Sequence, residues 1–363
     1  MTQVTLEEVI SRTGDRPDWL QGRVAFLARS GSHAYGTSTP TSDEDFRGIV
    51  IAPQDFRLGF LHNFDQYESN KVDLVLYEMR KFFKLASDCN PNIIELLYTH
   101  DSDVIHVGLP GEMLIAIRST FVSKKARHTF AGYAFSQLKR INTHHRWLFS
   151  PPTEAPTRAA FELPETTMIP KDQLGAAEAA IKKKMETWEL ALDNVGEADK
   201  INLTNQVAAY LAELQISKDF QWESAARNIG YDDNFLELLR RERAYRTAKN
   251  EWDQYQNWLK TRNEARAGLE RQFGYDTKHG MHLVRLLRMC EEILSGQGVI
   301  VRRPDAKELL EIRNGAWSYE KLISWAEEQD KKMDGLYEKS SLPKIPDMKA
   351  LDKACVEIAR QFV

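Results

Sequence analysis

The sequence predicts an α+β protein in which an N-terminal mixed sheet with helices is followed by a mainly helical domain. Three short apolar segments before residue 80, rich in β-branched residues, indicate strands. A proline-rich segment at 150–157 excludes regular structure, and beyond it apolar residues recur at spacings of three and four. We therefore expect a first domain at 1–149, a linker at 150–157 and a helical domain at 158–363 that contributes to a cleft between the two.

The predicted elements of the first domain are strands at 23–28, 46–52 and 71–77, and helices at 79–88 and 93–98. The first strand leads into a tight turn at Gly31-Ser32. Alternation in the third strand places Asp73 on the face opposite Leu74. Beyond the linker, helices are predicted at 174–192, 202–216, 234–273 and 282–295, with a short β-like segment at 298–302.

Composition narrows the class of protein. The chain is 42% hydrophobic and 28% charged, so it can bury a core. Its net charge of −4 provides no general attraction for nucleic acid, so a polyanion would need a local basic patch. The three cysteines are far apart, which argues against disulfides and a cysteine zinc site. Without a signal-like N-terminus or a membrane-spanning apolar run, we expect a soluble cytoplasmic protein with no membrane partner.

The segment 31–48 and the third strand hold the residues that point most directly to chemistry. Asp43 and Asp45 lie two apart at the start of a strand, so their carboxylates project on the same side. Asp73 lies among apolar residues, where an acid is costly unless it is paired or binds a metal. Three such carboxylates suit Mg²⁺ or Mn²⁺. Gly31 and Ser32 would offer N–H groups and a hydroxyl to the phosphates of a nucleoside triphosphate.

Each feature has an ordinary structural alternative. A Gly-Ser pair is common in turns, and an Asp-x-Asp is more often a solvated loop or a helix cap. An EF-hand at 42–48 is excluded, because the later ligands, including the closing Glu, are not at their spacings. The ordered combination of strand, Gly-Ser, Ser-Asp-x-Asp, strand and a third carboxylate is the stronger observation, and it indicates nucleotidyl transfer.

This ordered pattern resembles the DNA polymerase β-type nucleotidyltransferase superfamily. The strings GSHAYG (31–36) and SDEDFRG (42–48) are similar to a family of predicted nucleotidyltransferases associated with RNA ligases, and so are KHGMHLVRLL (278–287), VRRPD (301–305) and IRNG (312–315). The resemblance implies that Gly31 and Ser32 bind the triphosphate. It also implies that Asp43 and Asp45 bind metal and that Asp73 is the third acid.

Basic residues outside this core motif are candidates for contacts to the nucleotide. Arg47 lies within the second string, at a position that is often apolar in the wider superfamily. Lys278, His282 and Arg285 are spaced i, i+4 and i+7, so they share a helix face and could neutralise phosphate oxygens. A solvated basic edge is the alternative. Further candidates of the same kind are Arg302 and Arg303.

Basic and aromatic residues are interleaved at 124–147, the densest basic stretch of the chain. The basic residues are Lys124, Lys125, Arg127, Lys139, Arg140 and Arg146, and the aromatic ones are Phe130, Tyr133, Phe135 and Trp147. Such a surface suits single-stranded RNA or tRNA, and an amphipathic helix with core aromatics is equally consistent. His144-His145 has no acidic or cysteine partners at metal-binding spacings, so we expect no zinc site there.

Together these observations predict a magnesium-dependent nucleotidyltransferase that moves a nucleoside monophosphate from an NTP to a hydroxyl acceptor and releases pyrophosphate. Asp43 and Asp45 would hold Mg²⁺ (or Mn²⁺), and Asp73 would help to bind the metal and accept the proton of the acceptor. An RNA or tRNA end is the favoured acceptor. Nucleotidylation of a protein or small molecule, such as AMPylation, and non-catalytic nucleotide binding are the alternatives.

Overall fold

The computed structural model describes residues 4–167, 229–262 and 264–362, together with 175–177, 179, 180, 183 and 227. The predicted helix at 202–216 lies outside the described residues, and so does most of the one at 174–192. Among the described helices, none is long and apolar enough to cross a membrane.

The chain forms two compact units, and the first is built from both ends of the chain. Met1–Phe149 and Asn263–Val363 make up the first unit, and Ser150–Arg262 makes up the second. The helical domain expected at 158–363 is therefore divided between the two units. The physical reason is that the helix at 277–294 packs along the helix at 126–149 in the core of the first unit.

A five-stranded mixed sheet with strand order β3-β4-β2-β1-β5 forms one layer of the first unit. The strands are β1 (Val24–Ser30), β2 (Asp45–Val50), β3 (Gln66–Ser69), β4 (Leu74–Glu78) and β5 (Val104–Val107). β2 and β4 are parallel, and the other neighbouring pairs are antiparallel. The predicted α+β class is confirmed, and the three predicted strands correspond to β1, β2 and β4. The edge strands β3 and β5 were not predicted, because segments this short show no clear alternation.

Because β2 and β4 are parallel, both strands start at the same end of the sheet. Phe46 lies opposite Leu74, so the preceding residues Asp45 and Asp73 are neighbours. Asp73 lies in the turn before β4, not inside the predicted strand, and has a left-handed φ of 40°. Its carbonyl oxygen accepts a hydrogen bond of 2.9 Å from the Phe46 N–H, which extends the sheet ladder by one residue.

Helices cover the sheet and form the rest of both units. Before the proline-rich segment they are α1 (Leu6–Ser11), α2 (Gly31–Tyr35), α3 (Gln54–Leu58), α4 (Met79–Ser87), α5 (Pro91–Leu97), α6 (Leu109–Ala116) and α7 (Ala126–Phe149). After it, the described helices are α8 (Asp233–Thr261), α9 (Glu264–Phe273), α10 (Thr277–Leu294), α11 (Ala306–Arg313), α12 (Tyr319–Lys339) and α13 (Met348–Ala359). The helix predicted at 234–273 is thus two helices, and the segment at 298–302 is not a strand.

Two apolar clusters lie on opposite faces of the sheet. Phe46, Leu74 and Leu76 face the smaller cluster, together with Val9 and Ile10 of α1. The larger cluster lies between the other face and the long helices of the first unit. The alternation that predicted β2 and β4 therefore places apolar side chains on both faces, as expected for a sheet that is covered on both sides.

Helix α10 is the centre of the larger cluster. Asp276 caps it, since its Oδ1 accepts hydrogen bonds from the N–H groups of Lys278 and His279 at 2.9 and 3.1 Å. The helix packs against α7, α11 and α12. Its apolar stripe is buried and comprises Leu283, Leu286, Leu287, Cys290 and Leu294.

A buried ionic network joins α10 to the N-terminal half of the first unit. Arg285 of α10 donates a hydrogen bond of 2.5 Å to the Glu95 carboxylate of α5. The Tyr35 hydroxyl of α2 donates to the other Glu95 oxygen at 2.6 Å. The guanidinium also lies over the Tyr35 ring, 3.8 Å from its centroid. All three side chains are buried, so the ion pair and the ring together offset the cost of removing the charges from water.

The second unit has its own buried ion pair. Arg158 donates to the Glu242 carboxylate of α8, and this glutamate is only 4% exposed. Arg158 also lies over the Tyr245 ring at 5.3 Å from the centroid. The segment 150–158, which contains the linker predicted at 150–157, has no helix or strand.

Arg285→Met should lower the free energy of unfolding by about 3 kcal/mol, because Glu95 would remain buried without its cation. Urea unfolding followed by circular dichroism measures the loss. The double variant Arg285→Met/Glu95→Gln should recover part of it, since the unpaired charge is then gone. Lys353→Met is the control, because its pair with Glu357 is exposed at 3.9 Å and should cost at most about 0.5 kcal/mol. Equal losses in Arg285→Met and the control would contradict a structural role for the pair.

Candidate active site

A cavity of about 510 Å³ lies in the first unit, between the start of the parallel strand pair and the N-terminal end of α10. The lining residues from the N-terminal half are Gly31, Ser32, Thr41, Ser42, Asp43, Asp45 and Asp73. Those from the C-terminal half are Leu269, Asp276, Thr277, Lys278, Met281, His282 and Arg313. Asp43, Asp45 and Asp73 therefore face a wall that carries two permanent cations, an imidazole and a fourth carboxylate, that of Asp276.

Asp45 and Asp73 form a close carboxylate pair. Burial raises the pKa of Asp45 to about 6, and the hydrogen bond and negative charge of Asp73 act in the same direction. Arg47 and Lys278 oppose this rise by stabilising the charged form. Two neighbouring carboxylates that share a proton are a donor set that a divalent cation fits, since a cation removes their mutual repulsion.

Arg47 holds the turn that carries Asp73. Its guanidinium lies 3.0 Å from the Asp73 carboxylate and donates hydrogen bonds of 2.8 Å to the carbonyl oxygens of Phe46 and Asp73. The side chain does not line the cavity. The structure thus places Arg47 outside the cavity lining, where it holds the backbone of Phe46 and Asp73.

Asp43 reaches the cavity from the loop before β2. The loop is closed by the Ser42 hydroxyl, which accepts a hydrogen bond of 2.8 Å from the Thr39 N–H. Asp43 and Asp45 lie on either side of an intervening residue and both face the cavity, as the spacing predicts. Thr41 and Ser42 line the cavity beside them and were not predicted.

Gly31 fits against the carboxylate of Asp45 because it has no side chain. Its φ is 61°, in the left-handed region that favours glycine. A Cβ at this position would overlap the Asp45 carboxylate. Ser32 follows in the first turn of α2 and lines the cavity, while its carbonyl accepts from the Thr37 N–H at 2.9 Å. Glycine at 31 therefore lets a backbone N–H and a hydroxyl approach the carboxylates closely.

Lys278 and His282 lie one turn apart on α10 and both line the cavity. Burial lowers the pKa of His282 well below its usual range, and the neighbouring cations Arg285, Lys278 and Arg313 lower it further. His282 is therefore a neutral imidazole at physiological pH, able to donate or accept one hydrogen bond. Arg313, at the end of α11, has no ion-pair partner among the described residues and was not given a role from the sequence.

Arg285 does not reach the cavity, although its spacing predicts the same helix face. Two turns beyond Lys278 that face enters the protein interior, where Arg285 pairs with Glu95. Arg302 and Arg303 are also held by acids: Arg302 pairs with Asp103 at 2.5 Å, and Arg303 with Glu292 at 2.5 Å. The expectation that Arg285 contacts the nucleotide is thus replaced by a structural role.

Part of the basic and aromatic stretch at 124–147 is engaged in ion pairs or in the core. Lys125 pairs with Asp88 at 2.7 Å, and Arg127 pairs with acids of α12. Phe130 and Trp147 are buried, so they are core residues of α7. Lys139 and Arg140 remain exposed beside the half-buried Phe135, in a shallow depression of about 550 Å³ that Lys139 and Phe135 line.

The glycine-serine turn after β1 and the carboxylates at the starts of β2 and β4 carry the resemblance to a polymerase β-type nucleotidyltransferase. Residues 2–150 match RlaP, the RNA repair pathway DNA polymerase beta family, and this match supports a family of that type. The match supports nucleotidyltransferase activity in general.

The chain is also similar to a protein of Enterobacteria phage T4 described as an uncharacterized 38.9 kDa protein in the nrdC-mobD intergenic region. The two are 32% identical over 122 residues, which cover 30% of this chain and 36% of the phage protein. The chain therefore spans about a third of the length of that relative. No solved structure matches the chain.

Asp45→Asn should stabilise the metal-free protein at neutral pH. The raised pKa of Asp45 means that the folded protein holds its proton more tightly than the unfolded chain does. This stabilisation is complete below the unfolded pKa near 3.8 and is lost as the pH rises through about 6. Asparagine stays neutral, so its advantage should appear across this window and reach on the order of 1 kcal/mol after solvent screening.

Urea unfolding in EDTA, at about pH 4 and about pH 7.5, tests this sign of the pH dependence. Asp352→Asn, which removes an exposed carboxylate from α13, is the control and should show no pH-dependent gain. A variant Asp45→Asn that is less stable than the parent at neutral pH would make Asp45 a stabilising residue of the fold.

Proposed function

We propose that the protein is a nucleotidyltransferase that uses Mg²⁺ or Mn²⁺ to move a nucleoside monophosphate from an NTP to a hydroxyl group. The observation that carries the proposal is that Asp43, Asp45 and Asp73 line one cavity with Lys278 and Arg313. Carboxylates on one wall suit divalent metal, and cations on the other suit phosphate. A cavity of about 510 Å³ is in the range of small-molecule sites.

The three carboxylates would hold the metal. A bound divalent metal would supply positive charge beside the phosphates, and these carboxylates would keep it there. The raised pKa of Asp45 supports this assignment, because a carboxylate pair that is strained without a cation binds one favourably. Arg47 acts as a positioning residue that holds the Asp73 carboxylate beside Asp45.

Phosphate binding falls to residues on both walls. Gly31 and Ser32 would contact the terminal phosphates with a backbone N–H and a hydroxyl. Lys278 and Arg313 would neutralise the leaving pyrophosphate from the opposite side. His282 is neutral, so it would add a hydrogen bond without adding charge.

The transfer is an in-line displacement at the α-phosphorus. The acceptor oxygen forms a new bond to that phosphorus as its proton passes to the Asp73 carboxylate. The bond between the α-phosphorus and the bridging oxygen breaks, and pyrophosphate leaves with the electron pair. Alignment of acceptor and NTP and stabilisation of the developing charge supply most of the rate.

For the acceptor we propose the end of an RNA, which includes tRNA. The description of the matched family as an RNA repair pathway family supports this class. Lys139 and Arg140 are exposed on α7, near the half-buried ring of Phe135. These residues therefore form a basic and aromatic surface that is separate from the internal ion pairs of Lys125 and Arg127. Single-stranded RNA binds such surfaces through phosphate contacts and base stacking.

Asp43→Asn and Asp45→Asn should each lower nucleotidyl transfer at least about 100-fold while the protein stays folded, because each removes a metal ligand. Lys278→Ala and Arg313→Ala should mainly weaken NTP binding, by roughly 10-fold each. Release of pyrophosphate from each NTP measures transfer, and the control is Asp352→Asn. Unchanged activity in both aspartate variants would rule out the proposed carboxylate site.

The acceptor is tested with α-labelled NTP, Mg²⁺ and separate RNA and protein fractions of a cell lysate. Label should enter RNA, and Lys139→Ala/Arg140→Ala should reduce it. This double variant should also flatten the salt dependence of RNA binding by about 0.7 in slope per lost phosphate contact. Asp352→Asn should change neither. Label in a protein or small molecule would show that the acceptor is not RNA, while the proposed nucleotidyl transfer would still hold. Label in no fraction would contradict nucleotidyl transfer itself.

A further inference from the structure

Beside the cavity, a second group of potential metal ligands lies where α7, α9 and α10 meet. His144 of α7, Glu270 of α9 and Asp276, the cap of α10, each offer one potential ligand atom, and these atoms all lie within 4.8 Å of one another. The fold thus brings to His144 acidic neighbours that are distant in the sequence, which the expectation of no zinc site at His144-His145 did not take into account. His144 Nδ1 lies 3.7 Å from Glu270 Oε1. His279, on the first turn of α10, approaches from the other side, with its Nε2 3.6 Å from Asp276 Oδ2.

We propose that these four residues bind one divalent transition-metal ion of the zinc class. Two imidazoles and two carboxylates are a complete tetrahedral set for Zn²⁺, which takes nitrogen and oxygen ligands at about 2.0–2.2 Å. Ligand atoms of such a site are about 3.4 Å apart, so the side chains would draw closer together on binding an ion. Mg²⁺ is the poorer match, because it favours an all-oxygen octahedron that retains water.

Burial is the reason to expect a cation here. The side chains of Glu270 and Asp276 are 3% and 6% exposed, and two carboxylates this close repel each other in the protein interior. His144 and His279 are 16% and 19% exposed, so water has little access to the group. A bound dication would balance both carboxylates and use each imidazole as a neutral ligand.

The two oxygens of the Asp276 carboxylate make different contacts. Its Oδ1 accepts the hydrogen bonds that cap α10, whereas its Oδ2 faces His279 and the ligand group. Metal binding through Oδ2 would therefore fix the first turn of α10 without removing the cap. Lys278 lies in that turn and lines the cavity, so the ion would act on the candidate active site by positioning Lys278.

This site differs in chemistry from the carboxylates Asp43, Asp45 and Asp73, which offer oxygen ligands alone. The proposal does not rest on the proposed function, and its test does not depend on activity. The competing arrangement is a group of protonated histidines paired with the acids. The two are distinguished by whether an ion is present with imidazole among its ligands.

The test uses the untagged full-length protein, stripped with a chelator and titrated with Co²⁺ as a spectroscopic substitute for Zn²⁺. One equivalent should produce the visible absorption of a tetrahedral nitrogen and oxygen site, and Zn²⁺ should displace it. His144→Gln and Glu270→Gln should lose this absorption. The control is His128→Gln, which changes a histidine of α7 whose ring lies near Tyr337. This variant should retain the Co²⁺ absorption. Asp43→Asn/Asp45→Asn should also keep it, which separates this site from the proposed catalytic metal.

X-ray absorption spectroscopy of the unmodified protein with one equivalent of Zn²⁺ gives a second reading that needs no variant to fold. Scattering from two imidazoles and two oxygen ligands is the expected result. A ligand shell without imidazole would overturn the proposal, and so would Co²⁺ absorption that survives unchanged in His144→Gln. Absence of any tetrahedral Co²⁺ absorption in the parent protein would favour the protonated histidine pairs instead.

Discussion

The position of the candidate active site depends on one buried charge, the guanidinium of Arg285. Helix α2 has only five residues, which is too short to be stable alone, so its place is set by what its two ends contact. Its first residue, Gly31, follows directly from β1, and its last, Tyr35, lies against Arg285 and Glu95. The Tyr35 carbonyl also accepts the Arg303 N–H at 3.0 Å. The turn that we propose for phosphate binding is thus held from the interior by buried side chains that do not line the cavity.

The cavity itself works against the stability of the fold. Asp45 and Asp73 are brought together by the parallel pairing of β2 and β4, and burial together with the nearby Asp73 raises the pKa of Asp45. On the opposite wall, burial lowers the pKa of His282, and the neighbouring cations, Lys278 and Arg313 among them, lower it further. Each wall would be more stable with fewer like charges, and a ligand carrying metal and phosphate relieves both. Such a distribution is typical of a site kept for function at the expense of stability.

Local patterns were sufficient for the central elements. The apolar strands β1, β2 and β4 and the Gly-Ser and Asp-x-Asp signals were visible because they extend over a few neighbouring residues. Spacing along a helix also predicted that Lys278 and His282 share a face, and both reach the cavity. The family match over 2–150 agrees with the resemblance of these strings.

Long-range packing could not be predicted from such patterns. Arg285 has the right helical spacing for the cavity, but its depth depends on Glu95, far away in the sequence. Arg313 and Glu270 carry no local signal, because the residues that surround them come from other elements. The same is true of the division into units, since nothing in the segment after 262 indicates that it packs against α7. Asp73 precedes its strand by one residue, a difference at the limit of any boundary taken from sequence.

The construction of the first unit from two distant segments has a consequence for the order of events during synthesis. The sheet and α1–α7 leave the ribosome first, yet much of the apolar surface that α7 buries is supplied by α10. At about 5–20 residues per second, residue 313 follows residue 150 by roughly 10–30 s. During that interval the segment that carries the carboxylates has an uncovered apolar face and half a cavity. The region that matches the family is therefore not a self-sufficient module, and the nascent chain needs protection from aggregation until its C-terminal helices arrive.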